Sequence, residues 1–245
     1  MKLKFVGTGS AFSSETNNSA YFINNNNLFL IDCGETVFPV LKKSGVLEKV
    51  DNIYVFITHT HSDHIGSLSS LIYYVYYAFN KKLHILTSKE YEIEKDINTL
   101  LTLNGNNNDQ YEFVDKNIIK DKMGLESINL YNVRHVPELK SYAVRLLYKN
   151  NDDKLESIVF TGDTCDEEFI VQALKDKYLT KIYSDISLHG YPHLSFERAV
   201  EIFNPYKDKV VFMHLESPFI KNRLERLGFE YAKQSVEMDK EDRYL

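Results

Sequence analysis

The strongest constraint on this chain is one segment, Thr58-His59-Thr60-His61-Ser62-Asp63-His64, set directly behind the β-branched and aromatic run at residues 53–57. A continuous apolar run of that kind reads as a buried strand. Four side chains able to ligate a metal therefore crowd the end of one strand. His59 and His61 alternate along an extended segment and project to one side. Asp63 and His64, in the turn that follows, approach the same cavity from another angle. Neighbours at 63 and 64 point apart, so one ion does not easily take all four, whereas two adjacent ions can. Imidazole and carboxylate without thiolate favour zinc, manganese or iron over a Cys-rich structural zinc site. Chance is a poor account of the cluster, because the chain has only 8 histidines in 245 residues and three fall here.

The rest of the composition narrows what such a centre serves. Lys+Arg number 29 and Asp+Glu 35, a formal charge of −6. That balance gives no support to a long nucleic-acid-gripping surface, while a metal site supplies its own positive charge for a small phosphate. Two cysteines, Cys33 and Cys165, are too few for a disulfide scaffold, and each reads as a buried small residue. Residues 1–9 read as a strand and a glycine turn, not a signal peptide. The apolar run at 68–79 is too short to span a bilayer. These features predict a soluble, cytoplasmic protein.

Apolar patterning predicts strands at 2–6, 20–23, 28–31, 53–57, 83–86, 142–148, 157–160, 181–186 and 210–213, with further strands across 111–133. Asn24 to Asn27 reads as a hairpin tip. Helices are predicted at 36–44, 65–79, 90–103, 169–174, 196–203 and 221–228. No repeat of solenoid spacing and no Pro-, Gly- or Ser-rich linker appears, so residues 1–245 read as a single domain. Strands in runs with helices between them suit two sheets with helices outside.

The HxHxDH pattern resembles the signature of the metallo-β-lactamase superfamily, and other segments follow that family's order. Leu30-Ile31-Asp32-Cys33-Gly34 looks like its second strand, Phe160-Thr161-Gly162-Asp163-Thr164 its strand-Gly-Asp motif, and Val210-Val211-Phe212-Met213-His214 its final ligand strand. The resemblance implies an α/β fold, the αββα sandwich of two mixed β-sheets with helices on the outer faces. It implies His59, His61 and His135 on one metal, Asp63, His64 and His214 on the other, Asp163 bridging, and Asp32 bracing a histidine from behind. Two zinc ions, or manganese or iron, would generate hydroxide at neutral pH and clamp the substrate oxyanion.

The fold hosts many reactions, so the branch must come from other residues. Phe5-Val6-Gly7-Thr8-Gly9-Ser10-Ala11 with Asn17-Asn18 is similar to the opening of tRNase Z-like enzymes, with Asn17 in place of an arginine. Ser184-Asp185-Ile186-Ser187 and Pro192-His193-Leu194-Ser195 look like that branch's proton-transfer pair. His193 would protonate the leaving oxygen and Asp185 orient its ring, beside Asp63 as the catalytic groups. His189 reads as a loop residue. The chain departs from tRNase Z in lacking a Gly- and Pro-rich arm, and it carries Leu215-Glu216-Ser217-Pro218-Phe219 after the last histidine. What remains is similar to the small-substrate phosphodiesterases of the branch, the phage anti-Pycsar enzymes that destroy cyclic mononucleotide signals. The expected partners are a cyclic nucleotide and a second copy of the chain. The alternatives are an RNA 3′-processing endonuclease, a thiolester or lactam hydrolase, and a non-enzymatic metal scaffold.

Tyr73, Tyr74, Tyr76 and Tyr77 crowd the helix behind the metal motif. Residues three or four apart share a face, so one tyrosine face is expected on the sheet and another partly exposed, as a dimer surface or for base stacking.

Overall fold

The computed structural model describes residues 1–236. The first half of the chain forms β1 (Lys4–Gly7), β2 (Ser19–Asn24), β3 (Asn27–Ile31), α1 (Val37–Lys43), β4 (Asn52–Phe56), α2 (Ser62–Ile65), α3 (Leu68–Phe79), β5 (Leu83–Thr87), α4 (Glu94–Leu103) and β6 (Tyr111–Asp115). The second half forms α5 (Lys116–Lys122), β7 (Ser127–Val133), β8 (Ser141–Lys149), β9 (Leu155–Phe160), α6 (Glu167–Leu174), β10 (Leu179–Asp185), α7 (Phe196–Phe203), β11 (Val210–Met213), α8 (Pro218–Arg226) and β12 (Glu230–Tyr231). The strands make two six-stranded sheets, ordered β1 to β6 and β12 to β7. Each begins in chain order with two antiparallel pairings and continues with three parallel ones.

Period-two alternation assembles the layers. In β11, Val211 and Met213 join the large core cluster, while Val210 and Phe212 face Phe196, Ala199 and Phe203 of α7 and Ile220 and Leu224 of α8. Buried on both faces, such a strand must be a continuous apolar run, as Val-Val-Phe-Met is. In the first half, Val37 and Leu41 of α1 and Leu68, Leu71, Ile72 and Val75 of α3 lie in the large cluster with β3 and β4. The result is two mixed sheets with helices on their outer faces.

The β2–β3 turn places Asn25 and Asn26 at φ 49 and 57 between the paired Asn24 and Asn27. Left-handed backbone at both central positions is what a tight hairpin requires, and asparagine tolerates it. The strands expected across 111–133 are interrupted by α5. Asp115 caps that helix by accepting from the Asn117 N–H at 2.8 Å, and Gly124, at φ 61, ends it. The Ile118-Ile119 pair reads as strand in sequence, yet only Ile119 is buried. The helix expected over 65–79 is two pieces that part at Gly66-Ser67, and the one expected at 221–228 starts earlier, at Pro218.

The tyrosines also differ from expectation. The face of α3 that packs on the sheet is aliphatic, and Tyr73, Tyr74 and Tyr76 flank it while Tyr77 is exposed. Tyr73 donates to the Asn104 carbonyl at 3.1 Å and so ties α3 to the end of α4. Cys33 is fully buried, its thiol pushed up to about 12 by burial, whereas Cys165 is only half-buried. Among the described residues no helix is long and apolar enough to cross a membrane.

Candidate active site and metal centre

The parallel strands deliver the site. His59 follows β4, Asp163 follows β9, Asp185 ends β10 and His214 follows β11. Side chains at the carboxyl ends of parallel strands open onto a shared crevice. His135, beyond β7, completes the rim. Two site residues adopt left-handed backbone, Asp32 at φ 64 and His214 at φ 57. Such a conformation costs a non-glycine residue on the order of 1 kcal/mol and persists where neighbours fix it. At Asp32 the compensation is direct. Its carboxylate accepts from the Thr58 N–H at 2.7 Å, the Thr58 hydroxyl at 2.9 Å and His64 Nδ1 at 2.8 Å. At His214 the turn is locked by the opening glycine loop. Leu215 N–H donates to the Thr8 carbonyl at 2.7 Å and Ser10 N–H to the Leu215 carbonyl at 3.3 Å. In the same loop the Gly9 N–H donates to the Thr16 carbonyl at 2.9 Å. Asn17, where the resemblance placed an arginine, accepts from the Thr36 N–H and hydroxyl and pins the loop to the chain beyond β3.

Seven side chains meet in two adjacent groups. His59 Nε2 lies 3.0 Å from His61 Nδ1, which lies 3.3 Å from His135 Nε2. In the second group, His64 Nε2 is 3.4 Å from Asp63 Oδ2 and 3.2 Å from Asp163 Oδ2, and His214 Nε2 is 3.1 and 3.3 Å from the same two oxygens. Asp163 Oδ2 is also 4.0 Å from His59 Nε2, so it stands between the groups.

The donor chemistry fits a pair of cations. Thr58 gives its hydroxyl proton to Asp32 and therefore accepts from His59 Nδ1, at 3.0 Å. His64 Nδ1 faces Asp32, and His135 Nδ1 faces the Pro192 carbonyl at 3.1 Å. In the rings of His59 and His135 the outer nitrogen then carries the proton and Nε2 presents a lone pair to the centre. Burial alone would lower His64 as well, but Asp163 and Asp32 outweigh it and hold it well above the usual histidine range, so its Nε2 becomes a ligand only when a cation displaces that proton. A proton on His61 Nδ1 satisfies at most one of the two lone pairs it faces. His64 Nε2 and Asp163 Oδ1 are buried with no directed hydrogen bond, a costly state without a cation. Burial holds His59 well below the usual histidine range and lowers His135 to about 4, so both are neutral, as ligands must be. Burial alone would raise Asp63 and Asp163, but the histidines around them outweigh it and hold both low and ionised.

His193 stands just outside. Its Nδ1 is 2.8 Å from Asp185 Oδ2, and its ring lies 5.2 Å from that of His214 and 5.1 Å from that of His135, centre to centre. Burial would lower it, but the hydrogen bond it donates to Asp185 and the charges of Asp163 and Asp185 raise it to about 9. Asp185 also accepts from the Thr164 N–H at 3.2 Å. His189 and Cys165 lie outside the ligand groups. Sequence reading missed Thr58, the Pro192 carbonyl and the tight approach of Gly34, where a Cβ would sit 1.9 Å from the Asp63 carbonyl oxygen. Only the glycine beside Asp32 left a trace of that contact in the sequence.

Residues 1–237 match the family described as anti-Pycsar protein Apyc1. The chain is 34% identical over 197 residues to an anti-Pycsar protein Apyc1 of Bacillus phage vB_BsuM-Goe3, covering 69% of this chain and 70% of that one. Among solved structures, the metallo-β-lactamase fold protein YhfI of Bacillus subtilis superposes with a TM-score of 0.69 at 17% identity, over 96% of this chain and 97% of that one. The short form of human tRNase Z does so with a TM-score of 0.64 at 16% identity, over 98% and 99%. The chain therefore belongs to the anti-Pycsar Apyc1 family, metal-dependent hydrolases built on the metallo-β-lactamase fold.

Proposed function

We propose that the chain hydrolyses 3′,5′-cyclic mononucleotides to mononucleotides on two metal ions. The observation that carries this reading is a proton-donor pair, His193 on Asp185, placed against seven candidate ligands, of which six are buried and His61 half-buried. His59, His61 and His135 hold one ion, Asp63, His64 and His214 the other, and Asp163 both. Zinc suits the donors, and manganese or iron are the other choices. When bound, the ions supply hydroxide at neutral pH and neutralise the phosphodiester's charge. Asp185 fixes the His193 ring, and His193 gives its proton to the ribose oxygen as the P–O bond breaks; the OH of a water forms the new bond to phosphorus, the water's other proton restores His193, and the product is a nucleoside monophosphate. The relatives' description as anti-Pycsar proteins supports a role in removing cyclic-nucleotide immune signals in a host cytoplasm.

Metal removal tests the ligand assignment without an assay. An ion present at about 100 times its dissociation constant adds roughly 2.7 kcal/mol of stability. Chelation is expected to lower the melting temperature by about 5–10 °C for a domain of this size. An unchanged melting curve in a sample verified free of metal would refute the assignment.

His193→Ala is expected to slow cyclic-nucleotide hydrolysis by roughly 10²–10⁴-fold, the usual worth of a general acid, with metal content unchanged. Wild-type turnover in that variant rules the role out.

Cyclic mononucleotides are favoured over tRNA precursors. The segment between β5 and β6 supports this choice, because it folds back on the body: Ile97 and Leu101 of α4 are buried and Tyr111 donates to Asn98. A tRNA presents many phosphates and calls for basic side chains, against a net charge of −6. Rates with 3′,5′-cyclic CMP, UMP, AMP and GMP should exceed that with a 3′-extended tRNA under one metal condition. Efficient trimming of the tRNA beside inert cyclic nucleotides would install the RNA-processing alternative instead. Inert phosphodiesters of both kinds beside a turned-over thiolester would favour the third class.

A homodimer completes the proposal. Tyr77 at 73% exposure and Leu103 at 80% are exposed apolar side chains on α3 and α4, the two helices that Tyr73 joins, and a second copy would cover them. Light scattering at micromolar concentration is expected to give twice the chain mass; a monomer mass counts against it.

A further inference from the structure

Glu216 lies two residues beyond His214, in the segment where this chain departs from RNA-processing enzymes, and the site described above gives it no task. Both its oxygens are engaged with the loop that carries His193. One accepts from the Ser187 hydroxyl, and the other accepts from the Leu188 N–H at 3.2 Å. Ser187 is the foot of that loop. Its N–H donates to the Leu194 carbonyl at 2.9 Å, its own carbonyl accepts from the Phe196 N–H at 2.8 Å, and its hydroxyl accepts from the His189 N–H at 3.0 Å. A hydroxyl has one proton, so giving it to Glu216 fixes the oxygen's lone pairs toward His189. At the tip, the His193 N–H donates to the Gly190 carbonyl at 3.0 Å, and the Pro192 carbonyl accepts from His135. The loop is thus pinned at the tip by the site and at the foot by Glu216.

We propose that Glu216 is a positioning residue for the reaction: it clamps the foot of the 187–195 loop to the end of β11 and so fixes His193 against the metal centre. The inference rests on the reading of His193 as proton donor. A carboxylate suits the task because two donors arrive from one stretch of chain and both need an acceptor. Glutamine offers one acceptor oxygen and turns an NH2 on the second donor. Loss of the clamp frees the foot while leaving all seven ligands in place, so the damage falls on proton transfer.

The test compares the metal-loaded chain with Glu216→Ala, Glu216→Gln, His193→Ala and the Glu216→Ala/His193→Ala double variant. Two substrates are used, 3′,5′-cyclic CMP, whose ribose oxygen needs a proton to leave, and bis(p-nitrophenyl) phosphate, whose nitrophenolate leaves without one. For Glu216→Ala, kcat on cyclic CMP is expected to fall roughly 10- to 100-fold, the scale of an ångström-sized misplacement. KM and bound metal, read by mass spectrometry, stay near wild type, and the loss on the nitrophenyl ester is about ten times smaller or less. Glu216→Gln recovers part of the loss and carries the same substrate contrast if the alanine variant does not fold. In the His193→Ala background, Glu216→Ala adds less than about two-fold, because both act through one group. Equal losses on both substrates, loss of metal, or full additivity with His193→Ala would overturn the clamp. If His193→Ala itself loses equally on both substrates, the proton-donor reading falls and the clamp with it. If His193→Ala shows the contrast and neither Glu216 variant does, only the clamp falls.

Discussion

Asp32 directly follows β3 with no exposed surface, and three donors of the histidine motif converge on its carboxylate: the Thr58 N–H, the Thr58 hydroxyl and His64 Nδ1. A carboxylate buried this deeply is tolerated only when such bonds replace water, each worth about 1.5–3 kcal/mol when one partner is charged. The exchange sets the centre's geometry. Once Thr58 has given its hydroxyl proton to Asp32, it can only accept from His59, so one carboxylate fixes the tautomers of a histidine from each metal group. The left-handed backbone at Asp32 is what turns its side chain back onto the next strand. Gly34, two residues on, lets the same stretch lie backbone to backbone against Asp63.

Around that anchor, the two halves of the chain repeat one scheme. Each sheet takes two antiparallel pairings and then three parallel ones. Parallel strands share a direction, so their carboxyl ends line up along one edge, and the two edges face each other across the crevice. Candidate ligands separated by up to 155 positions, His59 and His214, meet there because strand ends and not local sequence place them. The cost is electrostatic. Asp63 and Asp163 are buried and ionised against the penalty of burial, held so by the histidines around them, a concentration of negative charge that suits cations.

The acid side of the site is mounted differently. His193 stands on the loop between β10 and α7, with Asp185 at one end of its ring. That loop also supplies the Pro192 carbonyl to His135. His193 and the carbonyl that orients His135 therefore share one segment, and Glu216 ties the segment to the chain just beyond β11. A chain of hydrogen bonds links β10, β11 and the rim of the site without adding a ligand.

Much of this was legible in the sequence, for definite reasons. A strand buried on both faces must be apolar throughout, so β4 and β11 showed as runs, and a histidine or aspartate directly after such a run marked a strand end. The hairpin at Asn25-Asn26 was visible because its backbone demands particular residues. Where local pattern is ambiguous, the reading failed: Ile118-Ile119 suits a strand as well as a helix, and only the Asp115 cap and the packing of Ile119 settle it as α5. The tyrosines of α3 carried no sign of which face meets the sheet, because Leu71, Ile72 and Val75 compete for it and win by shape. By itself the sequence determined the kinds of donor, their attachment to strand ends and the fold that such strands build. Tertiary structure alone decided which nitrogen of each ring faces the centre, which carbonyl steadies His135, and that Glu216 reaches Ser187. Those contacts join residues distant in the chain through directional bonds, and no spacing rule encodes a bond angle.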